Sequence, residues 1–185
     1  MIVVFVIKRN TRLENSAKSL GFISELGGIK KEQKIIENIM EIELNKIYNE
    51  NCLDTLARMP DNFVDLTVTS PPYDNLRDYN GYSFDFESIA KELYRVTKQG
   101  GVVVWVVGDK IEKNGESGTS FRQALYFKEI GFNLHDTMIY EKTSSSLPDK
   151  TRYSQVFEYM FILSKGKIKT FNPFKDKINK QAGSS

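Results

Sequence analysis

The residues of this chain best equipped for chemistry are Thr69-Ser70-Pro71-Pro72-Tyr73, which follow the run Phe63-Val64-Asp65-Leu66-Thr67-Val68 without a spacer. A serine hydroxyl and proline carbonyls accept hydrogen bonds, and a tyrosine ring beside them is a stacking surface. Two consecutive prolines have no N–H to donate and fix φ at about −65°. They therefore stop a strand, hold a rigid extended corner with its carbonyls outward, and deliver Tyr73 just past it. The run before them is apolar and β-branched and is bounded upstream by the turn-like Pro60-Asp61-Asn62, so it reads as a buried strand with the motif at its end.

The elements that position this corner follow from periodicity. From Phe84 to Thr97, Phe86, Ile89, Ala90, Leu93 and Val96 recur at the spacing of an amphipathic helix, with Gly100-Gly101 as its C-terminal punctuation. Val102–Val107 is continuously apolar, as for a strand covered on both faces. Strand, helix and strand of these lengths predict a βαβ unit in a parallel sheet. The Gly108-Asp109 exit then lies on the same carboxyl edge as Ser70, where open α/β sheets bind ligands. A second helix is expected over Thr119–Ile130, capped by Thr119 or Ser120, with Phe121, Ala124, Leu125 and Phe127 as its apolar set and Gly131 as its stop. Asn133–Tyr140 and Gln155–Ser164 read as an antiparallel hairpin with a long polar tip. Upstream, Glu41–Tyr48 is strand-like, and Leu53, Leu56 and Met59 fall at helical spacing.

Ser-Pro-Pro-Tyr after a hydrophobic strand resembles the catalytic motif of the amino-group DNA methyltransferases, which methylate cytosine N4 or adenine N6. The resemblance extends over Asn51-Cys52-Leu53-Asp54-Thr55-Leu56, the Pro60-Asp61-Asn62 turn, Glu92-Leu93-Tyr94-Arg95-Val96 leading into Gly100-Gly101-Val102-Val103-Val104-Trp105, and Phe157-Glu158-Tyr159-Met160-Phe161, and it covers roughly residues 41–180. It implies an α/β fold: a Rossmann-like class I methyltransferase sheet, mostly parallel, with a C-terminal antiparallel hairpin, here incomplete. It also implies a cytoplasmic enzyme that uses S-adenosylmethionine and acts on double-stranded DNA. Serine at the first motif position is mostly found in cytosine-N4 enzymes, so N4 is preferred over adenine N6.

An exocyclic amine is a poor nucleophile because its lone pair is delocalised into the ring. Two acceptors bonded to its two hydrogens draw it out of conjugation, and the implied pair is the Ser70 hydroxyl with the Pro71 carbonyl, Pro72 completing the corner. The base must be flipped out of the duplex, and Tyr73 would stack on it. By the same resemblance Asn51 and Thr69 lie near the cofactor, although the family's Gly-Asp pair is replaced here by Glu50-Asn51. In the polar, aromatic stretch Asp74–Ser83, Arg77 is a candidate for DNA phosphate and Tyr79 or Tyr82 for the gap left by the flipped base. Lys142, Lys150 and Arg152 on the hairpin tip are further phosphate candidates. Methylation of RNA or of protein amides, and a remnant that binds DNA without methyl transfer, are the alternatives.

One element is missing. The family holds its cofactor on a Gly-rich turn of the type Asp-Pro-Phe-x-Gly-Ser-Gly, and nothing in the 185 residues matches it. The block order resembles the permuted arrangement with the catalytic half first, so the chain reads as that half: residues 1–39 an extension outside the fold, 40–165 the catalytic half, 166–185 a basic tail opening the recognition region. The strand before Ser70 is expected to lack its usual neighbour, and such an edge invites a second copy or a complementary segment carrying the turn. Composition agrees with a globular domain: 40% of residues are hydrophobic and 27% charged, and the net charge of +2 marks no strong polyanion binder. One cysteine, Cys52, excludes an intrachain disulfide and a Cys-rich metal site. Met1–Ile7 is too short to span a membrane and its charges follow the apolar run, unlike a signal peptide. His135 is expected at a strand edge, and no metal is expected.

Overall fold

The computed structural model describes residues 5–7, 42, 46–72, 84–112, 115–143, 151–153 and 155–173. Its elements in order are β1 (Phe5–Ile7), α1 (Cys52–Ala57), β2 (Val64–Thr69), α2 (Phe86–Val96), β3 (Thr97–Val107), β4 (Ile111–Glu112), β5 (Gly115–Glu116), α3 (Thr119–Glu129), β6 (Asn133–Glu141) and β7 (Phe157–Ser164). The main sheet runs β1-β2-β3-β7-β6. Among the described strands β2 and β3 pair in parallel through the α2 crossover, while β1 lies antiparallel to β2, and β7 antiparallel to both β3 and β6.

α2 forms where the periodicity places it. Asp85 caps it, its Oδ1 accepting the Ser88 N–H at 3.1 Å, and Ile89, Ala90, Leu93 and Val96 are buried against the sheet. The glycines do not end it. The helix stops at Val96, and β3 begins at Thr97 and runs through Gly100-Gly101. Thr97 marks the switch: its Oγ1 donates to Leu93 O at 2.6 Å, within the last turn of the helix. Along β3, Val103, Trp105 and Val107 are fully buried under the helices, whereas Val102, Val104 and Val106 on the other face are half-buried. Burial of Val102–Val107 thus alternates, and the expected equal covering of both faces is not seen among the described residues. Between helices and sheet, Trp105, Phe127, Phe86 and Phe132 meet edge-to-face or tilted with centroids 5.1–5.9 Å apart.

α1 is tied to α2 by Arg95, whose guanidinium donates to Leu56 O, Met59 O and Asp61 Oδ1, each at 2.8 Å, and to Glu92. The Leu56 carbonyl, which also accepts the Met59 N–H at 2.9 Å, and the Met59 carbonyl just past α1 are thereby held to α2, and the Glu92 carboxylate pushes the Arg95 pKa above its usual range. Cys52 opens α1 half-buried against the core, and burial pushes its thiol pKa up.

Several expectations are corrected. Lys46–Tyr48, placed in a strand by the alternation of Glu41–Tyr48, belong to no strand, and Ile47 is 93% exposed. Between the βαβ unit and the second helix, where no strand was expected, Ile111–Glu112 and Gly115–Glu116 pair as the β4–β5 ribbon. In α3, Ala124 and Phe127 are buried as expected, but Phe121 and Leu125 are 49% and 58% exposed, and Ser120 and Gln123 take the inward positions. The outer edge of β2 is not vacant: β1 pairs there, Phe5 opposite Val68 and Ile7 opposite Leu66. The expectation that residues 1–39 lie outside the fold therefore does not hold for Phe5–Ile7. No described helix is long and apolar enough to cross a membrane.

Candidate active site

The strand register sets the site. Thr67 lies beside Val103 and Thr69 beside Trp105 in the parallel pair, so both threonines face the helix layer. Thr69 is 4% exposed, and among the described residues neither its hydroxyl nor that of Thr67 has a hydrogen-bond partner. The next residue reverses the situation: Ser70 leaves the strand and is exposed, while Pro71 and Pro72 after it are buried. The two rings anchor a corner whose first residue faces solvent at the carboxyl end of β2, beside the exit of β3.

That exit is organised by Asp109. Its buried carboxylate accepts the Ser120 N–H at 2.9 Å, the Ser120 hydroxyl at 2.5 Å and the Ser117 hydroxyl at 3.1 Å. α3 starts after Gly118, which offers no side-chain cap. The expected cap at Thr119 or Ser120 is thus replaced by Asp109, reaching from the end of β3 to satisfy the helix N-terminus. An acidic residue between an apolar strand and a Gly/Ser-rich loop was the sequence signal for it. Across the β3–β7 pair, Val107 lies opposite Tyr159, which stacks on Phe161 and meets Phe157 and Phe121 edge-on. Burial first, then Glu116 and Asp109, push the Tyr159 phenol up.

The remaining candidates are dispersed. Asn51 is the N-cap of α1, its Oδ1 accepting the Leu53 N–H at 3.1 Å. Lys142 Nζ is ion-paired with Glu158 Oε1 at 2.6 Å, and Arg152 is half-buried on the hairpin tip. Tyr73, Arg77, Tyr79, Tyr82 and Lys150 lie outside the described residues. His135 is exposed at the irregularity of the β6 edge, 3.5 Å from Asp136. No cluster of metal-ligating side chains occurs among the described residues.

The described residues do not fit S-adenosylmethionine as a complete cradle. The Asn51 carboxamide oxygen is engaged in capping and the Thr69 side chain is turned under the helices. Two glycines with positive φ are closed off by side chains: a Cβ on Gly100 would meet Lys169, and one on Gly131 would meet Tyr94.

A parallel βαβ unit with a Ser-Pro-Pro corner at its carboxyl edge and an antiparallel hairpin beyond it defines a class, the methyltransferase-type α/β sheet. The match to known proteins is more specific: the chain belongs to the N6_N4_Mtase family, described as DNA methylase, whose model matches residues 64–184. It is 75% identical over 117 residues to the orphan methyltransferase M.BamHII of Bacillus amyloliquefaciens, a match covering 63% of this chain and 44% of that protein. A stretch of that length in a chain of 185 residues necessarily contains Ser70. It is 38% identical over 79 residues to the type II methyltransferase M.BglII of Bacillus subtilis, covering 39% of this chain and 22% of that one. The chain thus spans less than half the length of these curated relatives. Its fold is like that of the cytosine-N4-specific PvuII DNA methyltransferase, with a TM-score of 0.54 at 23% identity over 65% of this chain and 49% of that one. It is also like that of the M1.HpyAVI complex with SAM, with a TM-score of 0.52 at 18% identity over 72% and 60%.

Proposed function

We propose that this chain is the base-binding part of a DNA methyltransferase acting on an exocyclic amine of a flipped base, cytosine N4 in preference to adenine N6. The observation that carries the reading is the Ser70 corner: an exposed serine at the carboxyl end of a parallel strand, held by two buried prolines. The Ser70 hydroxyl and Pro71 carbonyl accept the two amino hydrogens and turn the nitrogen lone pair out of the ring. A rigid corner makes this effective, because acceptors already in place need no reorganisation as charge develops. Tyr73 stacks on the extruded base, offsetting part of the flipping cost by about 1–3 kcal/mol. The methyl donor is S-adenosylmethionine, which supplies an electrophilic methyl. The described residues give it no complete cradle, so its binding belongs to residues outside them, further along a longer chain, in a second copy or in a complementary partner.

The remaining assignments belong to the same proposal. Residues 40–165 are the catalytic part and 166–185 the start of a recognition region. Arg77, Tyr79, Lys142, Lys150 and Arg152 contact double-stranded DNA, Lys142 by exchanging Glu158 for phosphate, and the setting is cytoplasmic. The relatives are named type II and orphan methyltransferases, which supports a role in restriction-modification or as an unpaired modification enzyme.

Nucleoside analysis of DNA from cells expressing M.BamHII with its matching stretch replaced by that of this chain tests the reading. N4-methylcytosine, strongly reduced with Ser70→Ala, is the expected product, and N6-methyladenine would move the target to adenine. One observation favours a second reading, DNA binding without methyl transfer: Asn51, a cofactor candidate, serves as a helix cap. Salt-dependent DNA binding with no methylated nucleoside would support it.

A further inference from the structure

Between the first turns of α2 and α3 lies a cavity of about 450 Å³ that the amine chemistry does not use. Its walls are aromatic: Phe84, Phe86 and Tyr126, with Phe86 meeting Tyr126 edge-on at 5.4 Å. Gln123 also lines it and is 95% removed from solvent, being only 5% exposed. The Gln123 Oε1 accepts the Trp105 indole N–H at 2.9 Å. An indole only donates, so this bond fixes which way the carboxamide points. The amide nitrogen is the opposite terminus, directed away from Trp105. A carboxamide N–H at a cavity wall is a fixed donor for an acceptor on a ligand.

The other polar groups complete a pattern. Glu87 accepts from Tyr126 Oη at 3.4 Å through Oε2, leaving Oε1 as a further acceptor on the wall. Arg122 is exposed on the same rim, with Nη2 donating to Thr119 Oγ1 at 3.0 Å. The cavity therefore combines aromatic faces, an oriented donor, a carboxylate acceptor and a guanidinium. A nucleotide matches all four: its base has π faces and an edge with acceptor beside donor, and its phosphate suits arginine. We propose that this cavity binds a single nucleotide, the base lying among Phe84, Phe86 and Tyr126 with an acceptor on the Gln123 amide, and the phosphate at Arg122. It is separate from the Ser70 corner and goes beyond the methyl-transfer reading, which does not depend on it.

The molecule carries its own probe, because Trp105 is its only tryptophan and is bonded to Gln123. Deoxycytidine and deoxyadenosine monophosphate would be titrated into the 185-residue chain while Trp105 emission is followed, with equilibrium dialysis of labelled nucleotide for the variants. A saturable change is expected. Loss of one charge-assisted or buried hydrogen bond in Arg122→Ala or Gln123→Leu should weaken binding about tenfold. Arg122 is exposed, so that variant keeps the test meaningful even if Gln123→Leu unfolds. His135→Ala, exposed on β6 and outside both sites, should bind as the parent does. The proposal is overturned if neither nucleotide saturates, if a short phenylalanine peptide binds where nucleotides do not, or if Ser70→Ala abolishes binding that Arg122→Ala leaves intact. The last result would place the nucleotide at the amine site and leave the proposed function standing.

Discussion

Ser70 and Thr69 are adjacent and have opposite situations, which makes this pair the sharpest test at the residue scale. Ser70 is exposed and its hydroxyl is assigned to one of two amine hydrogens. Ser70→Ala is therefore expected to lower methyl transfer by about a hundredfold, the scale for removing one preorganised hydrogen-bonding group, while leaving the thermal midpoint within about 1 °C of the parent because no core contact is lost. Thr67 and Thr69 bury hydroxyls that have no partner among the described residues. Thr67→Val keeps the shape and removes the unsatisfied group, so urea unfolding should show a gain of about 1 kcal/mol. Thr97→Val is the counterpart. There the hydroxyl donates to Leu93 O at 2.6 Å, and the same substitution should cost about 1 kcal/mol. Equal effects in the two variants would contradict this account. The Ser-Pro-Pro corner was legible because proline acts on the backbone directly, whatever surrounds it. The facing of Thr69 was not. β2 alternates Thr with Val and Leu, and no polar-apolar contrast tells which set turns to the helices.

At the scale of elements, α3 depends on partners distant in sequence. Periodicity assigned its inward face to the large apolar residues, and the structure turns Phe121 and Leu125 outward because Ser120 and Gln123 have bonds waiting inside, from Asp109 and Trp105. Such pairings span 11 and 18 residues and leave no local pattern to read. Asp109→Ala would leave the Ser120 N–H and hydroxyl without their acceptor and should lower stability by about 2–4 kcal/mol in urea unfolding. An unchanged midpoint would mean that α3 is capped otherwise. Gly131, which was legible as the helix stop, has φ +114°, and a Cβ there would lie 2.8 Å from the Tyr94 hydroxyl. Gly131→Ala is therefore expected to cost upwards of about 1 kcal/mol. The β3 boundary was hidden for a related reason. Gly100-Gly101 looks like punctuation, yet the strand passes through it, and a Cβ on Gly101 would lie only 3.0 Å from Asp65 O and Lys98 O.

For the whole molecule, the βαβ unit and the terminal hairpin were both legible, since their periods and punctuation are local. β1 was not. Three residues pairing with a strand some 60 positions away, Phe5 with Val68, depend on a long-range contact that a short apolar run does not announce. The described sheet has one face closed by α2 and α3, and the chain spans 44% of M.BamHII. With no complete cofactor cradle among the described residues, calorimetric titration of S-adenosylmethionine into the isolated chain should show no saturable heat, and saturable binding would show that the cradle is built from residues read here as structural. The central claim is that Ser70 holds the amine, and its most direct test is a graft: the stretch of this chain that matches M.BamHII, which includes Ser70, exchanged into that protein, with methyl transfer to DNA measured for the graft and for its Ser70→Ala form. Transfer by the graft and an approximately hundredfold loss with alanine are expected. A folded graft that transfers methyl groups equally well with serine or alanine at position 70 would contradict it.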